Sequence, residues 1–161
     1  MRVTRMQKIL VLIAVIAVPA AAHSTFAPKQ SPCFASGSAT YRIAPNAASP
    51  DFRIRIDGDA SSPDLRMQLV DRAEIADFVL VDDFGSGEPS GCRSSTPIRT
   101  VTLDPDTASP DVTVRLSDDP AGANYKIYVH SVRYSQQDAA ALLAAMWKTN
   151  QRRELAAQLV Q

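Results

Sequence analysis

The sequence predicts an α+β domain: a mostly antiparallel β-sheet built from an internal duplication, covered on its apolar face by one long C-terminal α-helix. Three observations predict it. A stretch occurs twice without a gap, 47 residues apart, as Ile56–Val81 and Leu103–Tyr128. Eight of the 26 aligned positions are identical, where average composition gives about two by chance. Within and beside these copies, apolar and polar residues alternate in short runs, the period of a half-buried strand. A helical period of useful length occurs near the C-terminus, at about 136–159.

Residues 1–22 read as a targeting signal. Arg2, Arg5 and Lys8 charge its start, Ile9–Val18 is apolar, and Pro19-Ala20-Ala21-Ala22 supplies small residues for a signal peptidase. The apolar run is shorter than the about 20 residues that a helix needs to span a bilayer. The expectation is a cleaved signal and a soluble protein exported to the periplasm or extracellular space, with no membrane span after cleavage. The whole chain has 17 Lys and Arg against 17 Asp and Glu, and without Arg2, Arg5 and Lys8 the cations fall to 14. Bulk charge therefore gives no reason to expect a nucleic-acid partner, and no specific nucleic-acid motif is present.

Residues 23–39 are rich in Ser, Pro and Ala and read as an extended lead-in, pinned at Cys33. In an exported chain, two cysteines without a C-x-x-C spacing predict one structural disulfide, Cys33 to Cys92. A single domain follows over 40–161, with repeat copies at about 52–82 and 98–131. Tyr41 and Ile43 begin its first strand. Phe52, Ile54 and Ile56 oppose Arg53 and Arg55, and Leu65, Met67 and Leu69 oppose Arg66 and Gln68. Asp71-Arg-Ala-Glu74 has capping-box spacing and predicts one helical turn. Phe78–Val81 is apolar on both faces and reads as an interior strand. The second copy predicts strands at 98–103, 112–116 and 125–132. Connections of about eight residues are too short for helical crossovers, which predicts antiparallel pairing. Ser135-Gln-Gln-Asp138 caps the helix, whose stripe of Leu142, Leu143, Met146, Trp147, Leu155 and Leu159 is placed on the sheet.

The side chains opposite the apolar set have a common charge. Arg42, Arg53, Arg55, Arg66, Arg115 and Lys126 share that parity, and no Asp or Glu does so within these strands. A sheet of this kind presents a cationic outer face, suited to an anionic polymer, lipid head groups or an acidic protein. The function predicted is that of a non-catalytic periplasmic binding module or envelope accessory, contacting its partner through this face and the 82–97 loop. The alternative is copper chemistry. Cleavage after Ala22 makes His23 the mature N-terminus, and with His130 it resembles the histidine brace of lytic polysaccharide monooxygenases and some periplasmic copper carriers, which implies a three-nitrogen copper site.

Other chemistries find no pattern. Asp57-Gly-Asp59 and Asp104-Pro-Asp106 open like calcium loops but lack the later Gly and Glu ligand positions, so they read as turns. There is no Gly-x-Ser-x-Gly elbow, and Gly85-Ser-Gly87 lacks the Lys of a phosphate loop. No catalytic residue is assigned.

Overall fold

The structure, a computed structural model, describes residues 33–36, 39–82 and 97–158. Eight strands make one sheet: β1 (Cys33–Ser36), β2 (Ala39–Ile43), β3 (Phe52–Ile56), β4 (Leu65–Leu69), β5 (Phe78–Val81), β6 (Ile98–Leu103), β7 (Val112–Ser117) and β8 (Tyr125–His130). A 3-10 turn at Ala73–Ile75 follows β4, and one helix, α1 (Gln136–Gln158), closes the described chain. The alternating residues form strands where expected, to within two residues at their ends, and the α+β class holds.

The pairing does not follow expectation. Strand order is β1-β2-β6-β3-β7-β4-β8-β5, and of the seven pairings only β1 with β2 is antiparallel. Nor does the fold divide into two copied units. Apart from β1 and β2, strands from the first half pair only with strands from the second, so the two halves interleave across the sheet. The physical reason lies in the connections. Asp57 donates its N–H to the carbonyl of Val114, and Asp64 donates to that of Thr113. The eight-residue link from β3 to β4 therefore starts and ends at one level of β7; it steps over that strand and never runs back along it. Asp104 and Asp111 likewise bond to Ile54 and Arg53 as the chain steps over β3. A crossover that makes no return needs no helix, so short links do not exclude parallel strands.

An aspartate fastens most of these steps. Asp64 both donates to the Thr113 carbonyl and accepts the Thr113 N–H on Oδ2 at 2.7 Å. Asp111 does the same to Arg53, at 2.9 Å, and Asp77 to Lys126, at 2.7 Å. Asn124 takes this part against Arg66, whose N–H it accepts at 2.7 Å. Asp51 accepts the Thr100 N–H at 2.7 Å. The Ser-Pro-Asp triplets thus begin strands with a proline that has no N–H to place and an aspartate that reaches the adjacent strand. The turns expected at Asp57-Gly-Asp59 and Asp104-Pro-Asp106 form as well, Asp57 and Asp104 accepting from the N–H groups of Asp59 and Asp106.

The sheet curls around α1. Its first and last strands approach each other until the Phe34 and Phe78 rings lie 5.7 Å apart, edge to face. Ala139 through Ala145 are all at most 8% exposed. Seven consecutive helical residues cover every direction around the axis, and α1 touches six strands, β2, β6, β3, β7, β4 and β8. The helix is therefore wrapped by the sheet rather than laid across it as a cover, and its enclosed part is mostly alanine because the curl leaves little radius for larger side chains. Leu142 and Leu143 are buried and Met146 and Trp147 half-buried, as the stripe requires. Leu155 is 61% exposed, because residues 150–158 extend past the sheet into solvent. Leu159 lies outside the described residues.

Both ends of the enclosed segment are tied. At its entry Ser135 and Asp138 form the expected capping box, the Asp138 N–H donating to Ser135 Oγ and the Ser135 N–H to Asp138 Oδ2. Ser131 donates its hydroxyl to Asp82, which also accepts the Val132 N–H. The Ser131 bond above all holds the Asp82 carboxyl below the usual carboxylate range. At the exit, Tyr41 donates to Thr149 Oγ1 at 3.1 Å and Thr149 donates to the Ala145 carbonyl. Arg152 lies 5.0 Å above the Phe52 ring and 3.1 Å from Asp111.

Three further expectations change. The turn at 73–75 forms, but without a side-chain cap. Phe78–Val81 is an edge strand, not an interior one, with Val79 and Val81 exposed on its outer face. The lead-in contributes a strand of its own, β1.

Tyr134, packed against the core, has a buried hydroxyl with no hydrogen-bond partner among the described residues, and burial pushes its pKa up to about 12. A raised pKa means the fold resists ionising this ring, so the group leaves stability unchanged below pH 10 and lowers it as pH rises from 10 toward 12. Tyr134→Phe removes the unsatisfied hydroxyl. We expect unchanged or higher stability, by up to about 1 kcal/mol, and loss of the titration step near pH 12 in a spectrophotometric tyrosine titration. A Tyr134→Phe protein that melts clearly earlier is inconsistent with an orphaned hydroxyl.

Candidate functional site: the cationic outer face

Strand parity decides which side chains face outward. With Phe52, Ile54, Leu65, Met67, Val112, Val114 and Ile127 buried against α1, their neighbours in sequence point away from it. All six predicted cations fall on that outer face. Arg53 and Lys126 are exposed, and Arg42, Arg55, Arg66 and Arg115 are half-buried.

Register brings five of them into one line. Arg55 on β3 stands beside Thr113 on β7. Two residues further along β7 is Arg115, directly opposite Arg66 on β4. Two residues beyond Arg66 is Gln68, opposite Lys126 on β8. Arg53 extends the line backward along β3. A diagonal of cations therefore crosses four neighbouring strands, each about 4.8 Å from the next. Arg42 stands apart: its neighbour is Thr100 on β6, and β6 separates it from Arg53.

Acids lie near this line without neutralising it. Among the described residues the ion pairs are Arg72 with Asp71 and Arg152 with Asp111, so none of the six side chains takes part in one. Arg55 donates from one terminal nitrogen to Thr113 Oγ1 at 3.4 Å, while its Nε is buried without a partner. The nearby carboxylates of Asp64, Asp77 and Asp111 are engaged with backbone N–H groups.

At the Arg66–Arg115 level the side chains form a pocket of ≈ 160 Å³, to which Ser117 and Asp119 also contribute. Asp119 accepts the Ala121 N–H at 2.9 Å, holding the loop that bends back over Arg66. Gly122 in that loop has φ +70, a left-handed backbone that favours glycine, and a Cβ there would make ordinary contact with Arg66 Nη1 at 3.4 Å. Ser117, Asp119 and Asn124 were not among the expected site residues. Only Asn124 had a signal in the sequence, as the neutral residue aligned with Asp77 in the repeat.

A second recess, ≈ 390 Å³, opens where α1 leaves the sheet, between Tyr125, Met146, Trp147, Asn150 and Glu154. Of the remaining expected residues, Cys33 is buried at the start of β1, whereas Cys92 and His23 lie outside the described residues, as do the signal segment and residues 83–96 of the long loop. His130 ends β8, exposed, its ring stacked 6.4 Å from that of Tyr128. Among the described residues no group of three or more His, Cys, Asp or Glu could hold a metal ion. Among them, too, no helix is long and apolar enough to cross a membrane. Comparison with protein families, curated proteins and solved structures gives no match.

Proposed function

We propose that this chain is an exported, non-catalytic binding module of the periplasm or cell envelope, which holds an anionic polymer along its outer sheet face. One observation carries the reading: Arg53, Arg55, Arg115, Arg66 and Lys126 stand in a line across four strands and, among the described residues, form no ion pair. Ion-pairing such cations within the protein would be the ordinary way to calm a crowded face, and in-register like charges oppose folding. A rigid sheet that leaves them unpaired is preorganised for an external row of negative charge. The row bends with the curled sheet, and an extended polymer can follow that bend where the face of a compact acidic protein cannot. The N-terminal signal supports export, and in that compartment Cys33 and Cys92 form the structural disulfide.

The triple variant Arg53→Ser, Arg66→Ser, Arg115→Ser tests the reading. Wild type is expected to be retained on heparin at low ionic strength and released as salt shortens the screening length from about 10 Å at 0.1 M to about 3 Å at 1 M. The triple variant should elute much earlier while melting no lower than wild type. Equal retention of both proteins removes the proposal. Retention of wild type on anionic vesicles but not on heparin would move the partner from polymer to head groups.

A further inference from the structure

We infer that the pocket at Arg66 and Arg115 is a seat for one tetrahedral oxyanion group, a phosphate or a sulfate. The inference rests on the reading of the outer face as the binding surface and adds a specific site to it. Four features converge there. The two arginines are Cα partners on adjacent parallel strands, so their side chains leave the sheet side by side. Guanidinium groups are planar forks that pair with oxyanions through two parallel N–H···O bonds, and two forks at one strand spacing can share a single group. Ser117 adds a hydroxyl donor to the lining. The Gly122 loop passes close to the Arg66 guanidinium, near enough that a Cβ at Gly122 would touch Nη1 at 3.4 Å.

The fastening residue at this level is the informative one. Thr113, Arg53 and Lys126 are each held by an aspartate, whereas Arg66 is held by Asn124. The asparagine keeps the acceptor and removes the charge, so the Arg66–Arg115 pair loses the carboxylate that the same position supplies elsewhere. Asp57, at the end of β3, turns its carboxylate onto Asp59 N–H. Asp119 remains as the one acid in the lining, committed to the Ala121 N–H. It tempers the positive field and discriminates against any second negative group at the rim. A pocket of ≈ 160 Å³ takes one oxyanion with a few waters.

Calorimetric titration of the purified protein with inorganic phosphate, and separately with sulfate, tests the site. Saturable binding of one anion per chain is expected. Arg66→Ser and Arg115→Ser should each weaken it about tenfold or more, the loss typical of a charge-assisted hydrogen-bonding partner. Asp119→Asn should tighten it several-fold by removing a like charge. In phosphate-free, low-salt buffer Arg115→Ser should melt no earlier than wild type, because it relieves the in-register repulsion. If the arginine variants fold poorly, Asp119→Asn decides alone, and unchanged or weaker affinity overturns the site. Displacement of bound heparin by phosphate would place a polymer-borne group in the pocket; phosphate binding without displacement would make the free anion the ligand. Heparin retention that still depends on the triple variant, with no saturable phosphate or sulfate response, overturns the pocket and leaves the polymer reading standing. Loss of both responses sinks the two together.

Discussion

Ala139→Leu and Ala141→Leu should each destabilise the protein by about 1–3 kcal/mol, as expected for methylenes forced into a closed core. The two positions differ by about 200° around the helix axis, so they point to opposite sides of α1. A helix lying across a sheet would tolerate leucine on its outward side. Here both residues are 0% exposed, and neither side has room. Helix propensity cannot produce the loss, since leucine ranks just behind alanine. Ala156→Leu, on the exposed extension of the same helix, should change stability by less than about 0.5 kcal/mol. Urea denaturation midpoints decide: if Ala139→Leu or Ala141→Leu proves as mild as Ala156→Leu, the sheet does not enclose the helix.

Asp64→Ala should cost about 1–3 kcal/mol, because it strips the Thr113 N–H of its acceptor at a residue that is 7% exposed. Asp64→Asn should recover most of that loss. Asparagine already fills this role at position 124, where its side-chain oxygen accepts the Arg66 N–H at the same 2.7 Å. Asp57→Ala, which removes only a local turn bond to Asp59, is expected to be milder. The three variants compared by thermal and urea unfolding separate a bridge between strands from ordinary turn chemistry. An Asp64→Ala protein no weaker than Asp57→Ala would show that the cross-strand bond contributes little.

Much of the fold was legible in the chain. Phe52, Ile54 and Ile56 alternating with Arg53 and Arg55 marked both a strand and its inner face, because side chains on extended backbone must alternate. The Ser135–Asp138 box marked the helix start. For the site, the same parity places all six cations on one face. Their convergence was not legible, since it depends on which strands are neighbours. Arg66 and Arg115 are 49 residues apart in the chain and meet only because β4 lies beside β7. Regular spacing did offer a clue that the 47-residue repeat obscured. Strands β2, β3, β4 and β5 begin at residues 39, 52, 65 and 78, thirteen apart, and Asp51, Asp64 and Asp77 keep the same interval. That interval is one strand plus one step over a neighbour.

What this sequence determined by itself was where backbone extends, which side chains turn inward, where the helix is capped, and that outward positions carry Arg and Lys without acids. Those properties follow from local periodicity and short-range hydrogen bonding. Only the tertiary structure decided parallel pairing, the interleaving of the two halves, the enclosure of α1 and the meeting of Arg66 with Arg115. A period of two says which face a residue occupies and nothing about which strand lies next to it. That choice was made by backbone hydrogen bonds between residues 49 and 58 positions apart, closed by three aspartates and one asparagine reaching from one strand to the next.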